Sequence, residues 1–138
     1  MLNRTIIYAL KAMDYLALQK EGIFISSHNI SREMQIPKYF LRKILNCLCL
    51  AGLIQSIRGK GGGFALATHA SGIRIGDVVN LFKKVDDPRQ CLLGAKKCDG
   101  SCGLHYRCRI ISEQFKEIYN MTIDEINYLS CKSILFGA

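Results

Sequence analysis

The sequence predicts a mainly α chain with a small β-hairpin, and three observations carry that expectation. Apolar residues recur at three- and four-residue spacing in several separate stretches, glycine and proline punctuate those stretches, and one glycine-rich tip, Gly59 to Gly63, lies between two short apolar segments. A length of 138 residues allows one ordinary core with a protruding appendage and excludes a large multidomain enzyme.

Ile6, Leu10, Met13 and Ala17 fall at helical spacing, which predicts an amphipathic helix over 4–19, ended by Gly22. A short extended piece, Ile23 to Ile25, leads to Ser26 and Ser27, residues suited to start a second helix carrying Ile30 and Met34. Gln35-Ile36-Pro37 then breaks the pattern, and the proline is suited to open a third helix. Helix, tight turn, helix is the helix-turn-helix arrangement. At about 100° per residue, Phe40, Leu41, Ile44, Leu45, Leu48 and Ala51 fall on one arc of the helix expected over Lys38 to Ala51. Lys38, Tyr39, Arg42, Lys43 and Asn46 take the opposite arc, and these side-chain types reach base edges and phosphates in a major groove. Cys47 is expected at the edge of the apolar arc and Cys49 on the polar one, both as small fillers.

Gly52 to Arg58 and Phe64 to Ala67 read as the strands of a hairpin around the glycine-rich tip. The tip is no nucleotide phosphate loop, because no Lys-Ser/Thr follows it and it joins strand to strand. Its bare backbone at Gly61 and Gly62, with Arg58 and Lys60, can instead approach DNA phosphates or enter a narrow minor groove. A hairpin after a recognition helix makes a winged helix-turn-helix. Ile75 to Lys84 is expected as a further helix with Val78, Val79, Leu81 and Phe82 inward, and Asp86-Asp87-Pro88 closes the unit. From His105 to about Asn120, Ile110, Ile111, Phe115, Ile118 and Tyr119 repeat at helical spacing. This long helix has no completed domain to cover its stripe, so Ile111, Phe115 and Ile118 are assigned to a homodimer seam. Thr122 to Glu125 forms a capping box that starts a last helix through Leu129. The expected organisation is a DNA-binding domain over 1–85, a cysteine-rich loop over 86–104, and the dimerisation and C-terminal helices over 105–138.

The net charge is +8, and between His28 and Arg74 seven cationic residues stand against Glu33 alone. Such a concentration is an electrostatic footprint for a polyanion, nucleic acid among them, and a solvated basic surface is the other reading of the charge alone. Lys11 and Asp14 interrupt the apolar run from Ile6 to Leu18 and no small-residue cleavage site follows, so a signal peptide or membrane span is not expected and the cytoplasm is. Seven cysteines, an odd count, argue in that compartment for thiolate ligands over a disulfide framework. Four of them, with one of the three histidines, lie within Cys91 to Cys108 among glycines and charges. Metal or iron-sulfur ligation is therefore favoured there over a disulfide-stapled loop. Cys91, Cys98, Cys102 and either His105 or Cys108 would also satisfy a tetrahedral structural zinc. A thiol enzyme using Cys102 or Cys108 with His105 as base lacks an oxyanion hole and an orienting third residue, and no enzyme is expected.

Together these residues resemble the Rrf-type family of bacterial winged-helix transcription regulators, nearly end to end. The resemblance is carried by Tyr8-Ala9-Leu10, by the Ile36 to Leu41 opening of the recognition helix, by Ala51-Gly-Leu53 and by the wing from Ser56 to Leu66. Ile75-Gly-Asp-Val-Val79 and Cys102-Gly-Leu-His105 extend it. It implies a homodimer on palindromic promoter DNA. For the IscR- and NsrR-like members it also implies an iron-sulfur cluster, 2Fe–2S ahead of 4Fe–4S, on Cys91, Cys98 and Cys102. His105 matches the fourth ligand of the IscR type, and Cys108 is the alternative. A metal-free thiol switch is the remaining reading within the same fold.

Overall fold

Asn3 opens the first helix by accepting the backbone N–H of Ile6 on its side-chain oxygen at 3.0 Å, a capping contact that satisfies one of the free donors of the first turn. From there the computed structural model, which describes residues 3–82 and 99–126, runs α1 (Arg4–Ala17), α2 (Ser27–Met34), α3 (Lys38–Leu50), β1 (Ile54–Ile57), β2 (Gly63–Leu66), α4 (Ile75–Leu81) and α5 (His105–Asn120). Short 3₁₀ turns stand at Ala70–Gly72 and Ile123–Glu125.

Ser26 caps α2 by accepting from the Asn29 N–H at 3.2 Å. The helix stops at Gln35, the one non-glycine residue with positive φ (54°) among the described residues, and the chain reverses there. Ser31 ties the reversal from both sides: its hydroxyl donates to the Ile36 carbonyl at 2.6 Å and its carbonyl accepts the Ile36 N–H at 3.0 Å. Ile36 is thereby buried and α3 starts at a fixed angle to α2. The core forms where the stripes of α1 (Ala9, Ala12, Met13), α2 (Ile30, Met34), α3 (Leu41, Ile44, Leu45, Leu48) and α4 (Val78, Val79) meet, with Ile54 of β1 and Ile123 closing it. Each large side chain buried there contributes about 1.5–3 kcal/mol.

The hairpin pairs antiparallel with Ile54 opposite Leu66 and Ile57 opposite Gly63. A further bridge joins Ile25 to Phe64, each donating to the other at 2.9 and 2.8 Å, so the extended piece before α2 anchors the wing. At the other end of the domain the Ile75 N–H donates to Met121 at 2.8 Å and the Ile123 N–H to Ile73 at 2.9 Å. These bonds and the packing of Gly76 on Tyr119, where a Cβ would come within 2.9 Å of the Tyr119 carbonyl oxygen, fasten the C-terminal end of α5 to the winged unit.

Several expectations on helix faces need correction. Phe40 and Ala51 were assigned to the buried arc of α3, but both are exposed, because the arc is narrower and centred on Leu41, Leu45 and Leu48. The two cysteines exchange roles: Cys47 is exposed and Cys49 packs partly against the core. Leu81 faces outward on α4, which ends at that residue. The capping box holds, with the Thr122 N–H donating to Glu125 at 2.6 Å, but it opens a single 3₁₀ turn. The expected continuation through Leu129, like Cys91 and Cys98, lies outside the described residues.

Candidate nucleic-acid interface and cysteine site

The five residues assigned to the polar arc of α3, Lys38, Tyr39, Arg42, Lys43 and Asn46, are all exposed in the structure. Between α3 and the wing runs a groove of about 820 Å³ whose wall carries Lys38, Arg42, Lys43 and Asn46 from the helix and Ser56 and Arg58 from the hairpin. The burial of Leu41, Leu45 and Leu48 turns the cationic arc toward this groove, and the Ile25–Phe64 bridge holds the hairpin opposite it. Helix cations and Arg58 thus share one concave surface, as recognition of a phosphate-bearing duplex requires. The Lys43 ammonium stands 4.3 Å from the centroid of the Tyr39 ring. Ser27 and His28, in the first turn of α2, and Cys49 also line the groove, although the sequence reading did not single them out for contact. The Ser26-Ser27 helix start was the available signal for the first two, since first-turn N–H groups attract phosphate.

At the wing tip Lys60 and Gly61 are exposed and Gly62 is half-buried. Gly61 takes a φ of 76°, a conformation that costs other residues about 1 kcal/mol. Gly63, at the base of the tip, lies so close to Ile25 that a Cβ would sit 2.3 Å from its carbonyl oxygen.

The second candidate site is visible in part. Cys102 and Cys108 are half-buried free thiols, and His105 is half-buried at the first position of α5. The His105 N–H donates to the Cys102 carbonyl at 3.1 Å, so thiol and imidazole flank one turn. The imidazole lies against Gly100, where a Cβ would stand 3.6 Å from Nε2. Asp99 accepts from the Ser101 hydroxyl at 2.6 Å and from its N–H at 2.9 Å, and these bonds hold the Asp99 carboxyl below the usual carboxylate range. Cys108 follows within regular helix, its N–H donating to Leu104 at 2.9 Å. A cysteine and an imidazole at one turn, followed and preceded in sequence by further cysteines, are a donor set suited to an iron-sulfur cluster or to zinc.

No side chain of α5 is buried within the single chain, and Ile111 and Ile118 are exposed to 39 and 42%. Phe115 is half-buried and meets Tyr119 edge to face, with ring centroids 6.1 Å apart. The sequence profile of the Rrf2 family, described as an iron-dependent transcriptional regulator, matches residues 2–134. The chain belongs to the Rrf2 family. It is 32% identical over 122 residues to a protein of Aquifex aeolicus named as a candidate HTH-type transcriptional regulator, covering 86% of this chain and 84% of that one. It is 30% identical to the HTH-type transcriptional regulator IscR of Pectobacterium atrosepticum over 86% of this chain and 74% of that one. In fold, this Rrf2 protein is similar to CymR, the global cysteine regulator of B. subtilis, with a TM-score of 0.73 and 22% identity over 93% of this chain and 97% of that one. It is also similar to T. potens IscR, with a TM-score of 0.72 and 18% identity over 100% of this chain and 93% of that one. The winged-helix architecture and the assignment to transcription regulation by DNA binding follow, and the family's members are regulators and not enzymes. No helix among the described residues is long and apolar enough to cross a membrane.

Proposed function

We propose that this Rrf2 protein is a cytoplasmic homodimer that binds promoter DNA through α3 and the wing, with an affinity set by an iron-sulfur cluster. The convergence of Lys38, Arg42, Lys43 and Asn46 with Arg58 on one groove carries the DNA-binding part. Tyr39 on the outer face of α3 and Lys60, Gly61 and Gly62 at the wing tip extend the contact surface. A homodimer joined along Ile111, Phe115 and Ile118 would cover the exposed stripe of α5 and present two such grooves to a two-fold related operator.

Cys91, Cys98, Cys102 and His105 would hold the cluster. When bound, it supplies a centre sensitive to oxidation, to nitric oxide and to the supply of iron and sulfide. The chain's own residues set its position. Cys102 and His105 stand at the N-terminal end of α5, and the His105 imidazole lies against Gly100. That packing supports His105 over Cys108 as the fourth ligand, because Cys108 lies three residues further on, about 4.5 Å along the helix axis. The fold likeness to CymR keeps a metal-free thiol switch as the second reading, and structural zinc would use the same donors.

The deciding experiment is anaerobic purification with visible absorption, iron, sulfide and zinc assays, on the wild type and on separate His105→Ala and Cys108→Ala variants. A coloured protein whose spectrum is altered by the histidine change and kept by the cysteine change is expected. A colourless zinc protein, or a metal-free one that reconstitution leaves colourless, refutes the cluster. Loss of the cluster in the cysteine variant alone refutes the ligand assignment.

A further inference from the structure

Lys43, on the polar face of α3, places its ammonium over the Tyr39 ring, and that ring does not stand alone. Tyr39 meets Phe40 edge to face at 5.9 Å with an interplanar angle of 78°. Phe40 in turn meets Tyr8 of α1 at 6.1 Å and 61°. These contacts lie within the range at which aromatic pairs attract beyond their buried area. Phe40 has no place in the core, being 38% exposed, and its contacts instead bridge the partly buried Tyr8 and the 66% exposed Tyr39. The exposure that removes Phe40 from the packing stripe therefore gives it a second use.

We propose that Tyr8, Phe40 and Tyr39 form a positioning ladder from α1 to the DNA-facing surface of α3, which fixes the direction of the Lys43 ammonium and thereby contributes sequence discrimination. The proposal rests on α3 being the DNA-reading helix. A lysine on a flexible four-carbon stem attracts phosphate from many conformations, so its charge alone adds affinity without selectivity. Held over the face of Tyr39 it samples fewer of them, and the hydrogen bonds it can offer to a guanine edge are presented in one direction. Removing a rung should leave the charge, and with it non-specific binding and its salt dependence, while lowering selectivity. The three rungs act on Lys43 in series, so loss of Tyr8 and loss of Tyr39 should have effects of the same kind.

The test uses the full-length protein, a duplex operator recovered by selection with the wild type, and a scrambled duplex of equal length. Tyr8→Leu and Phe40→Leu are expected to reduce the ratio of operator to scrambled affinity about fivefold, with the scrambled affinity and its salt slope unchanged. Tyr8→Phe keeps the ring and should keep the ratio. In a Lys43→Met background Tyr8→Leu should change the ratio no further, a result that a general loosening of the domain would not give. Thermal unfolding of each variant identifies any that fail to fold, and Tyr8→Phe against Tyr8→Leu is then compared at a temperature where both are native. An unchanged ratio in Tyr8→Leu, or an equal loss from it with and without Lys43, overturns the ladder. A wild type that enriches no sequence overturns the DNA-reading assignment itself, which is a different outcome.

Discussion

Replacing Gly63 with alanine tests the way the wing is held. The added Cβ would lie 2.3 Å from the Ile25 carbonyl oxygen and 2.4 Å from its carbon, whereas ordinary contact begins near 3.4 Å, so about 1 Å of backbone separation must be gained. Both neighbouring atoms are main chain, and no side-chain rotation can relieve the overlap. The separation would break the reciprocal Ile25–Phe64 bonds of 2.9 and 2.8 Å. Two net hydrogen bonds are worth about 1–3 kcal/mol, and the positive φ of Gly63 adds roughly 1 kcal/mol of strain for alanine, so a loss of about 2–4 kcal/mol is expected. Gly61→Ala is the matched control: it shares a positive φ but meets nothing within 4 Å, which leaves the strain of about 1 kcal/mol alone. Urea unfolding of the two variants by circular dichroism reads the difference. DNA affinity should fall more in Gly63→Ala, measured where both remain folded, because Arg58 would lose its fixed position across the groove. Equal destabilisation of the two variants would refute the claim that close backbone approach, and not φ, dictates glycine at position 63.

Two further changes test the proposed assembly and contact. Ile118→Asp should weaken the dimer at least about 100-fold, since a carboxylate would enter an apolar seam at a cost of several kcal/mol, while the 42% exposed position leaves the single chain folded; an unchanged sedimentation coefficient would contradict this. Arg58→Ala should lower the logarithmic salt slope of DNA binding by about 1 if the side chain meets a phosphate, and should relax base preference with little change in slope if it enters the minor groove; no effect on either would exclude the wing from the interface.

The elements built on local chemistry were legible in the sequence. Ser26 and Thr122 announce their turns, the break at Gln35 to Pro37 separates α2 from α3, and the glycine run marks the wing, because capping, turn conformation and helical period act over a few residues. What escaped depends on distant partners. The Ile25–Phe64 bridge joins segments nearly forty residues apart, and a three-residue extended piece carries no pattern that names its mate. Phe40 and Ala51 lie at the rim of the α3 arc, where 100° spacing does not decide between core and solvent; the Tyr8 ring, which Phe40 meets, comes from another helix. Cys47 and Cys49 sit at opposite rims of that arc, and a wheel centred slightly off the packing direction exchanges them. For the cysteine site, the His105 N–H donates to the Cys102 carbonyl across a single turn, while Cys91 and Cys98 fall outside the described residues.

The attachment of α5 constrains how a signal at its N-terminal end could reach the DNA-facing groove. Its 16 residues span about 24 Å, and its bonds to the winged unit are made at the far end, through Met121 and the Ile73–Ile123 pair. Cys102 and His105 stand at the opposite end, where no residue of the helix is buried by its own chain. Among the described residues, the packed core of the winged unit lies at the far end of the helix from His105. In the proposed dimer a surface of the partner would supply a contact for that end. The N-terminal half of α1 is a suitable receiver: Ile7 is 41% exposed and Tyr8, beside it, meets Phe40 on the recognition helix. Coupling by this route would pass between subunits and would be lost in a monomer that still binds non-specific DNA. Ile118→Asp, if it yields a monomer, should therefore remove any dependence of DNA affinity on the state of the cysteine site, even where residual binding can be measured.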